Sequence, residues 1–152
     1  MQMGKRRNSG RILLQVLFVA YVALMVWLLF GQRLDGGMTA RENWNLIPLK
    51  TLKLYVQILV HSTNADLLRH AFINLAGNVV MFLPLGFFLP AIWKKQRNFF
   101  LCLATVALMI LVIEAVQYAT MLGSCDVDDF LLNLPGSMLG YGFQRLLWRN
   151  RQ

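Results

Sequence analysis

Charge is scarce in this chain and negative charge scarcer: charged residues fill 14% of 152 positions, and only seven are Asp or Glu. Soluble domains carry about a quarter charged residues, so an ordinary water-soluble globule is excluded. Cysteine is limited to Cys102 and Cys125. They lie near opposite ends of one apolar run, ~30 Å apart at the helical rise, which is beyond the reach of a disulfide. Cys102 reads as core filling and Cys125 as an exposed thiol. The sequence also lacks internal repeats, low-complexity segments and any Ser-His-Asp or Cys-His arrangement.

Apolar side chains are abundant, at 57% of the sequence. Four runs approach the ~20 residues a helix needs to cross a ~30 Å hydrocarbon layer. They cover 12–30, 71–93, 99–122 and 130–148. Lys5, Arg6, Arg7 and Arg11 precede the first run, as in a secretory signal. The run nevertheless exceeds the ~7 to 15 residues of a signal core, and no small-residue cleavage pattern follows closely, so it reads as a retained anchor. The expected fold is all-α: a four-helix transmembrane bundle over 12–148, between tails 1–11 and 149–152.

The net charge of +8 raises nucleic acid as a partner, and the positions of the charges dismiss it. Lys5, Arg6, Arg7, Arg11, Lys94, Lys95, Arg97, Arg145, Arg149 and Arg151 fall on one side of a four-span topology, with no acid among them. The opposite side mixes Arg33, Arg41, Lys50, Lys53 and Arg69 with Asp35, Glu42, Asp66, Asp126, Asp128 and Asp129. This bias orients both termini to the cytoplasm. The long connection 31–70 then lies outside. Its first part, GQRLDGGMTARENW, is a solvated loop, while NWNLIPLKTLKLYVQILV suits an amphipathic helix at the headgroup boundary. Pro48 is placed in that helix's first turn, and a hydrophobic loop resting on the lipid is the alternative.

Polar side chains inside the runs share one depth. Asn74 and Asn78 lie one turn apart on the second span, Glu114 and Gln117 three residues apart on the third. Asp129, Asn133, Gly136 and Gly140 form one stripe on the fourth. Counted from the outer ends, Asn74 and Asn133 lie ~6 Å in, Gln117 ~8 Å, and Asn78 and Glu114 ~12 Å. The inner halves of the longer spans carry no comparable set, so these groups are expected to meet beneath the connection 123–128. Polar side chains in hydrocarbon face the interior and find partners. Their blander use is to hydrogen-bond helices together, and the GxxxG spacing of Gly136 and Gly140 reads as close helix contact. Pro84 is expected to bend the second span near Val80.

The carboxylates divide by depth. Glu114 should have a raised pKa for want of a Lys or Arg at its level. Asp126, Asp128 and Asp129 are placed at the water boundary and ionised. They lack the rest of an EF-hand loop, so a divalent cation there is not the expectation, and no metal or other cofactor is implied. His61 and His70 flank the polar slab, with His70 near Asn74 read as interfacial.

NLIPL at 45–49, INLAGNVVMFLPLGFFLP at 73–90, IEAVQ at 113–117 and DVDDFLLNLPGSMLG at 126–140 together resemble the VanZ-like family of small membrane proteins. The family takes its name from a teicoplanin resistance protein, and the resemblance covers 45–142. It implies a multi-pass protein of the bacterial cytoplasmic membrane with a part in glycopeptide or lipopeptide resistance. The family's polar motif positions correspond to Asn45, Pro48, Asn78, Pro84, Gly86, Glu114, Gln117, Asp126, Asp129, Asn133, Gly136 and Gly140. Two departures stand out. Gly123 occupies a position where many members have arginine, which removes a counter-ion for Glu114 or Asp126. Pro135 precedes the glycine of the last span and is expected to tilt its start.

The leading functional expectation is a ligand-binding pocket facing outward. Asn45, Asn78, Glu114, Gln117, Asp126, Asp129 and Asn133 would hydrogen-bond a lipid-linked cell-wall precursor or amphiphilic antibiotic amid membrane lipids. The alternative is an intramembrane enzyme with Glu114 as general acid or base and Asp126 or Asp129 as its ionised partner. A proton-coupled transporter is disfavoured by the apolar inner halves.

Overall fold

The computed structural model describes residues 2–31, 45–120 and 126–149, with side chains over 10–31, 45–120 and 126–148. Residues 32–44, with the loop expected there, and Gly123 and Cys125 lie outside the described residues. Among the described residues the regular structure is helical, apart from one isolated parallel bridge between Asn45 and Asp126. The helices are α1 (Gln2–Phe30), α2 (Lys50–His61), α3 (Ala65–Ile92), α4 (Phe99–Thr120) and α5 (Val127–Arg149), with a 3₁₀ turn at Lys94–Arg97 between α3 and α4.

Among the described residues three helical stretches are long and apolar enough to cross a membrane: Gly10–Phe30, Ala65–Ile92 and Phe99–Thr120, with mean hydropathies of 2.6, 1.9 and 2.7. The fourth expected span, α5, has the length but not the apolarity. Asn133, Ser137 and Gln144 and its glycines dilute the run. α3 begins six residues ahead of the expected span because Asn64 caps it, its side chain accepting from the backbone N–H of Asp66 at 2.9 Å and of Leu67 at 3.2 Å. Pro84 and Pro90 lie inside α3, and Pro135 inside α5, with both helices continuing through them.

α3 and α5 form the most extensive helix pair, and glycines make it possible. A Cβ on Gly136 would stand 2.3 Å from the Val79 carbonyl oxygen, and one on Gly140 1.9 Å from that of Leu83. From the other side, a Cβ on Gly86 would meet the Ser137 carbonyl oxygen at 1.7 Å. The contacts climb together from 79 against 136 to Phe87 against Phe143, ring centroids 6.1 Å apart, so α3 and α5 run parallel. The Ser137 hydroxyl seals the seam by donating to the Phe82 carbonyl at 3.2 Å.

α1 runs antiparallel to α3, packing through Phe18 against Phe88 and Trp93 and through the Tyr21 hydroxyl, which donates to the Met81 carbonyl at 2.8 Å. α4 joins at its start through Phe99 on Tyr141 and through the buried Cys102, Val106 and Ile110. Cys102 fills the core as expected. The starts of α3 and α5, the ends of α1 and α4, and α2 therefore gather at one end of the bundle.

Candidate functional site

At that end lies a cavity of about 170 Å³, lined by Leu28 and Leu29 of α1, Thr51 and Tyr55 of α2, Asn74, Asn78 and Met81 of α3, Ile113, Glu114 and Gln117 of α4, and Asp126, Asp129 and Asn133 at the start of α5. Five helical segments contribute to it. The expected site residues Asn78, Glu114, Gln117, Asp126, Asp129 and Asn133 all line it, as does Asn74. Asn45 stands behind the lining and holds it.

The segment 45–52 forms a roof, and α5 fastens it. Asn45 donates from Nδ2 to Asp126 Oδ1 at 3.1 Å and to the Thr51 hydroxyl at 3.0 Å, while Thr51 donates to Asp126 Oδ2 at 2.6 Å. The backbone N–H of Val127 donates to the Asn45 carbonyl at 3.0 Å. The N-terminus of α2 has no capping side chain of its own. Asp128 supplies one from 79 residues away: its Oδ1 accepts from the Leu49 N–H at 2.5 Å and its Oδ2 from the Leu52 N–H at 2.9 Å. Leu49 reaches this geometry at φ 66°, a left-handed backbone that costs an ordinary side chain ~1 to 2 kcal/mol. The helix starts at Lys50, so Pro48 belongs to the turn before it rather than to its first turn.

These bonds correct the expectation that Asp126 and Asp128 sit at the water boundary. Asp128 is 1% exposed and Asp126 8%. Their burial is compensated because all four oxygens accept hydrogen bonds, Asp126 Oδ1 also taking the N–H of Asp128 at 2.9 Å. Among the described residues no group of three His, Cys, Asp or Glu is arranged to hold a metal ion.

Below the roof, Asn78 donates to Asp129 Oδ1 at 2.6 Å, Glu114 is 8% exposed, and Gln117 donates to the Leu29 carbonyl at 3.4 Å. Asn133 is 3% exposed, and its Oδ1 has no donor among the described residues. Asn74 is turned toward its own helix, donating to the His70 carbonyl at 3.0 Å. Tyr55 closes the side, its ring edge-on to His70 at 6.0 Å. Partial burial, and then the negative charges of Asp129 and Asp126, raise the Tyr55 phenol above its usual pKa. It therefore stays protonated at neutral pH and remains a donor.

The VanZ/LLP1 family model matches residues 18–148, from α1 to the end of α5. The chain belongs to the VanZ/LLP1 family. No curated protein and no solved structure matches it. This VanZ/LLP1 protein is a multi-pass membrane protein with three candidate spans, and the motifs that carried the resemblance coincide with the roof, the cavity lining and the glycine seam.

One polar group escaped the sequence reading. Gln144, in the second half of α5, where no comparable polar set is expected, is fully buried, and neither amide atom has a hydrogen-bond partner among the described residues. It lies between Tyr141, which donates to the Arg97 carbonyl at 2.6 Å, and Trp148, whose ring lies 5.6 Å beneath the Arg97 guanidinium. Adjacent to Arg145 near the chain's end, it carried no signal of such burial.

Proposed function

We propose that the cavity binds the polar headgroup of a lipid-linked or amphiphilic ligand at the outer leaflet, and that this binding underlies a part in glycopeptide (teicoplanin) or lipopeptide resistance. In this reading α5 is the fourth span, since it runs parallel to α3 along the length that α3 needs to cross. The termini then share the cytoplasmic side of a bacterial plasma membrane, with Lys94, Lys95, Arg97 and Arg145, and the cavity faces outward. α2 lies at the headgroup level, its exposed Leu54, Val56, Leu59 and Val60 toward acyl chains.

The observation that carries the proposal is the convergence of polar side chains from α2, α3, α4 and α5 on one cavity, against the cost of placing such groups in hydrocarbon. Its size sets the ligand part. Drug-sized molecules occupy pockets of about 300 to 1,000 Å³, so 170 Å³ admits a headgroup and not a whole glycopeptide. Resistance by this route acts on the lipid or precursor that the antibiotic needs, or on the antibiotic's own polar end. The test is teicoplanin susceptibility of a sensitive host expressing the wild type or the Glu114→Gln, Asp129→Asn double variant at equal membrane levels. Loss of protection in the variant is expected, and full protection by it overturns the proposal.

An enzyme acting on a cell-wall or lipid precursor is the second reading, and one contact favours it: the Thr51 hydroxyl, facing the cavity, donates to the Asp126 carboxylate. Glu114 would then serve as general acid or base, with Asp126 or Asp129 as its ionised partner. Turnover abolished in Glu114→Gln with ligand binding retained separates it from the first.

A further inference from the structure

The end of the bundle opposite the cavity is basic. Among the described residues Lys94, Lys95, Arg97 and Arg145 gather there, while every described acid, Asp66, Glu114, Asp126, Asp128 and Asp129, lies in the half that holds the cavity. Such a bias serves topology by itself, and a loop that did nothing more would need no fixed shape. This one is fastened to three helices. Arg97 Nε donates to the Pro90 carbonyl of α3 at 3.4 Å, the Arg97 carbonyl accepts from Tyr141 of α5 at 2.6 Å, and the guanidinium lies 5.6 Å over the Trp148 ring. Gln96 donates to the Thr105 hydroxyl of α4 at 3.0 Å, and Asn98 caps α4 by accepting from the Leu101 N–H at 3.0 Å.

Arg97 is thus positioned before any ligand arrives. With Nε engaged, its two Nη groups carry the remaining donors, in the fork that meets two phosphate oxygens at once. Two more cations stand beside it. Lys94 precedes Arg97 by three residues in a 3₁₀ turn, where side chains so spaced eclipse. Arg145 lies one turn from both Tyr141 and Trp148, so it belongs to the strip of α5 whose two ends touch Arg97. Both are exposed. Because α3 and α4 are long and apolar enough to cross, the turn joining them lies at a membrane surface, with exposed Trp93 and Phe100 to either side. We infer that this corner seats the phosphodiester of an anionic phospholipid from the leaflet opposite the cavity, held by the Arg97 fork between Lys94 and Arg145. A zwitterionic headgroup brings its own ammonium against these cations and is the poorer fit. Basic sites between membrane helices take anionic headgroups on the same principle, and this site is independent of whatever the cavity binds.

The experiment uses the purified full-length protein in detergent micelles and native mass spectrometry with phosphatidylglycerol and phosphatidylcholine of equal chain length. A basic side chain at a membrane surface contributes about fivefold in affinity for anionic lipid, so the three cations should favour the glycerol lipid by at least about tenfold. Lys94→Gln and Arg145→Gln, at exposed side chains, should each weaken it by about fivefold. Lys53→Gln and Arg69→Gln make the same charge change at the cavity end and should leave the preference as it was. Arg97→Lys keeps the charge and removes the fork, so it should erase most of the preference that Lys94→Arg retains. Melting temperature in the same micelles checks that Arg97→Lys is folded, and if it is not, Lys94→Gln and Arg145→Gln decide alone. Equal binding of the two lipids, equal loss from the cavity-end variants, or full preference in folded Arg97→Lys overturns the inference. Displacement of the lipid by glycerol phosphate at equal concentration also overturns it, since the corner would then be a site for free phosphate.

Discussion

Replacing Asp128 by alanine should release the roof without unfolding the bundle. The side chain accepts from the N–H groups of Leu49 at 2.5 Å and Leu52 at 2.9 Å, two of the donors that every helix leaves unpaired at its start. Hydrogen bonds to a charged partner contribute about 1.5 to 3 kcal/mol each. Water or headgroups replace part of that once the segment lifts, so the net loss is about 2 to 4 kcal/mol, consistent with or somewhat above the ~0.5 to 2 kcal/mol of a single lost cap. α2 has little else to hold it, since none of its residues is buried. Among the described residues its other side-chain ties are the Thr51 bond to Asp126, which Asn45 supports, and the ring contact of Tyr55 with His70, beside its packing on α3. At 1.4 kcal/mol per tenfold, amide protection over 49–61 should fall by roughly 30- to 700-fold. Asp128→Asn keeps one acceptor oxygen and should fall by roughly 5- to 30-fold. Hydrogen exchange read by mass spectrometry on protein in micelles measures both, with α3 and α4 peptides as internal controls. Unchanged α2 protection in Asp128→Ala, or equal loss in α3, would refute the reasoning.

Gly86→Ala and Gly140→Ala place a Cβ within 2 Å of backbone oxygen on the facing helix, at 1.7 and 1.9 Å, so each should destabilise by about 2 to 4 kcal/mol or prevent accumulation. Gly142→Ala, with nothing within 4 Å of its Cβ, should be neutral or stabilising by up to ~1 kcal/mol; thermal unfolding in detergent compares the three. Gln144→Met removes a buried amide with no partner among the described residues and should stabilise by about 1 to 2 kcal/mol, whereas a fall in melting temperature would mean that the amide is satisfied in the membrane. The raised pKa of Tyr55 makes its folded form hold the proton longer than the unfolded chain, so its contribution is full below pH 10.0 and is lost as pH climbs through the folded value. Stability measured from pH 9 to 12 should therefore decline less steeply in Tyr55→Phe.

Three of the four expected spans and the cavity were legible for the same reason. Hydrocarbon admits amides and carboxylates only toward the bundle interior, so helical rise alone brought Asn78, Glu114, Gln117 and Asn133 to one level, and the cavity gathers all four. The roof was half legible. NLIPLK contains no residue suited to cap a helix at position 49, which is a local sign that the cap comes from elsewhere, but nothing local names Asp128 as its source. Depth also misled where distance along the chain was taken for contact with water: Asp126 and Asp128 precede the apolar part of α5 yet lie beneath another segment. Leu49's left-handed backbone had no glycine or asparagine to announce it. The start of α3 was written in STNAD, where Asn64 precedes the helix, and hydropathy concealed it because the first two turns carry Asp66 and Arg69.

Because the acids that fasten the roof sit at 126 and 128, a ribosome has delivered α1 through α4 before any of those anchors exists. Segment 45–61 must then wait unlatched until α5 is made. Packing of α5 against α3 and closure of the compartment thus become one event, and a chain halted before it would hold neither.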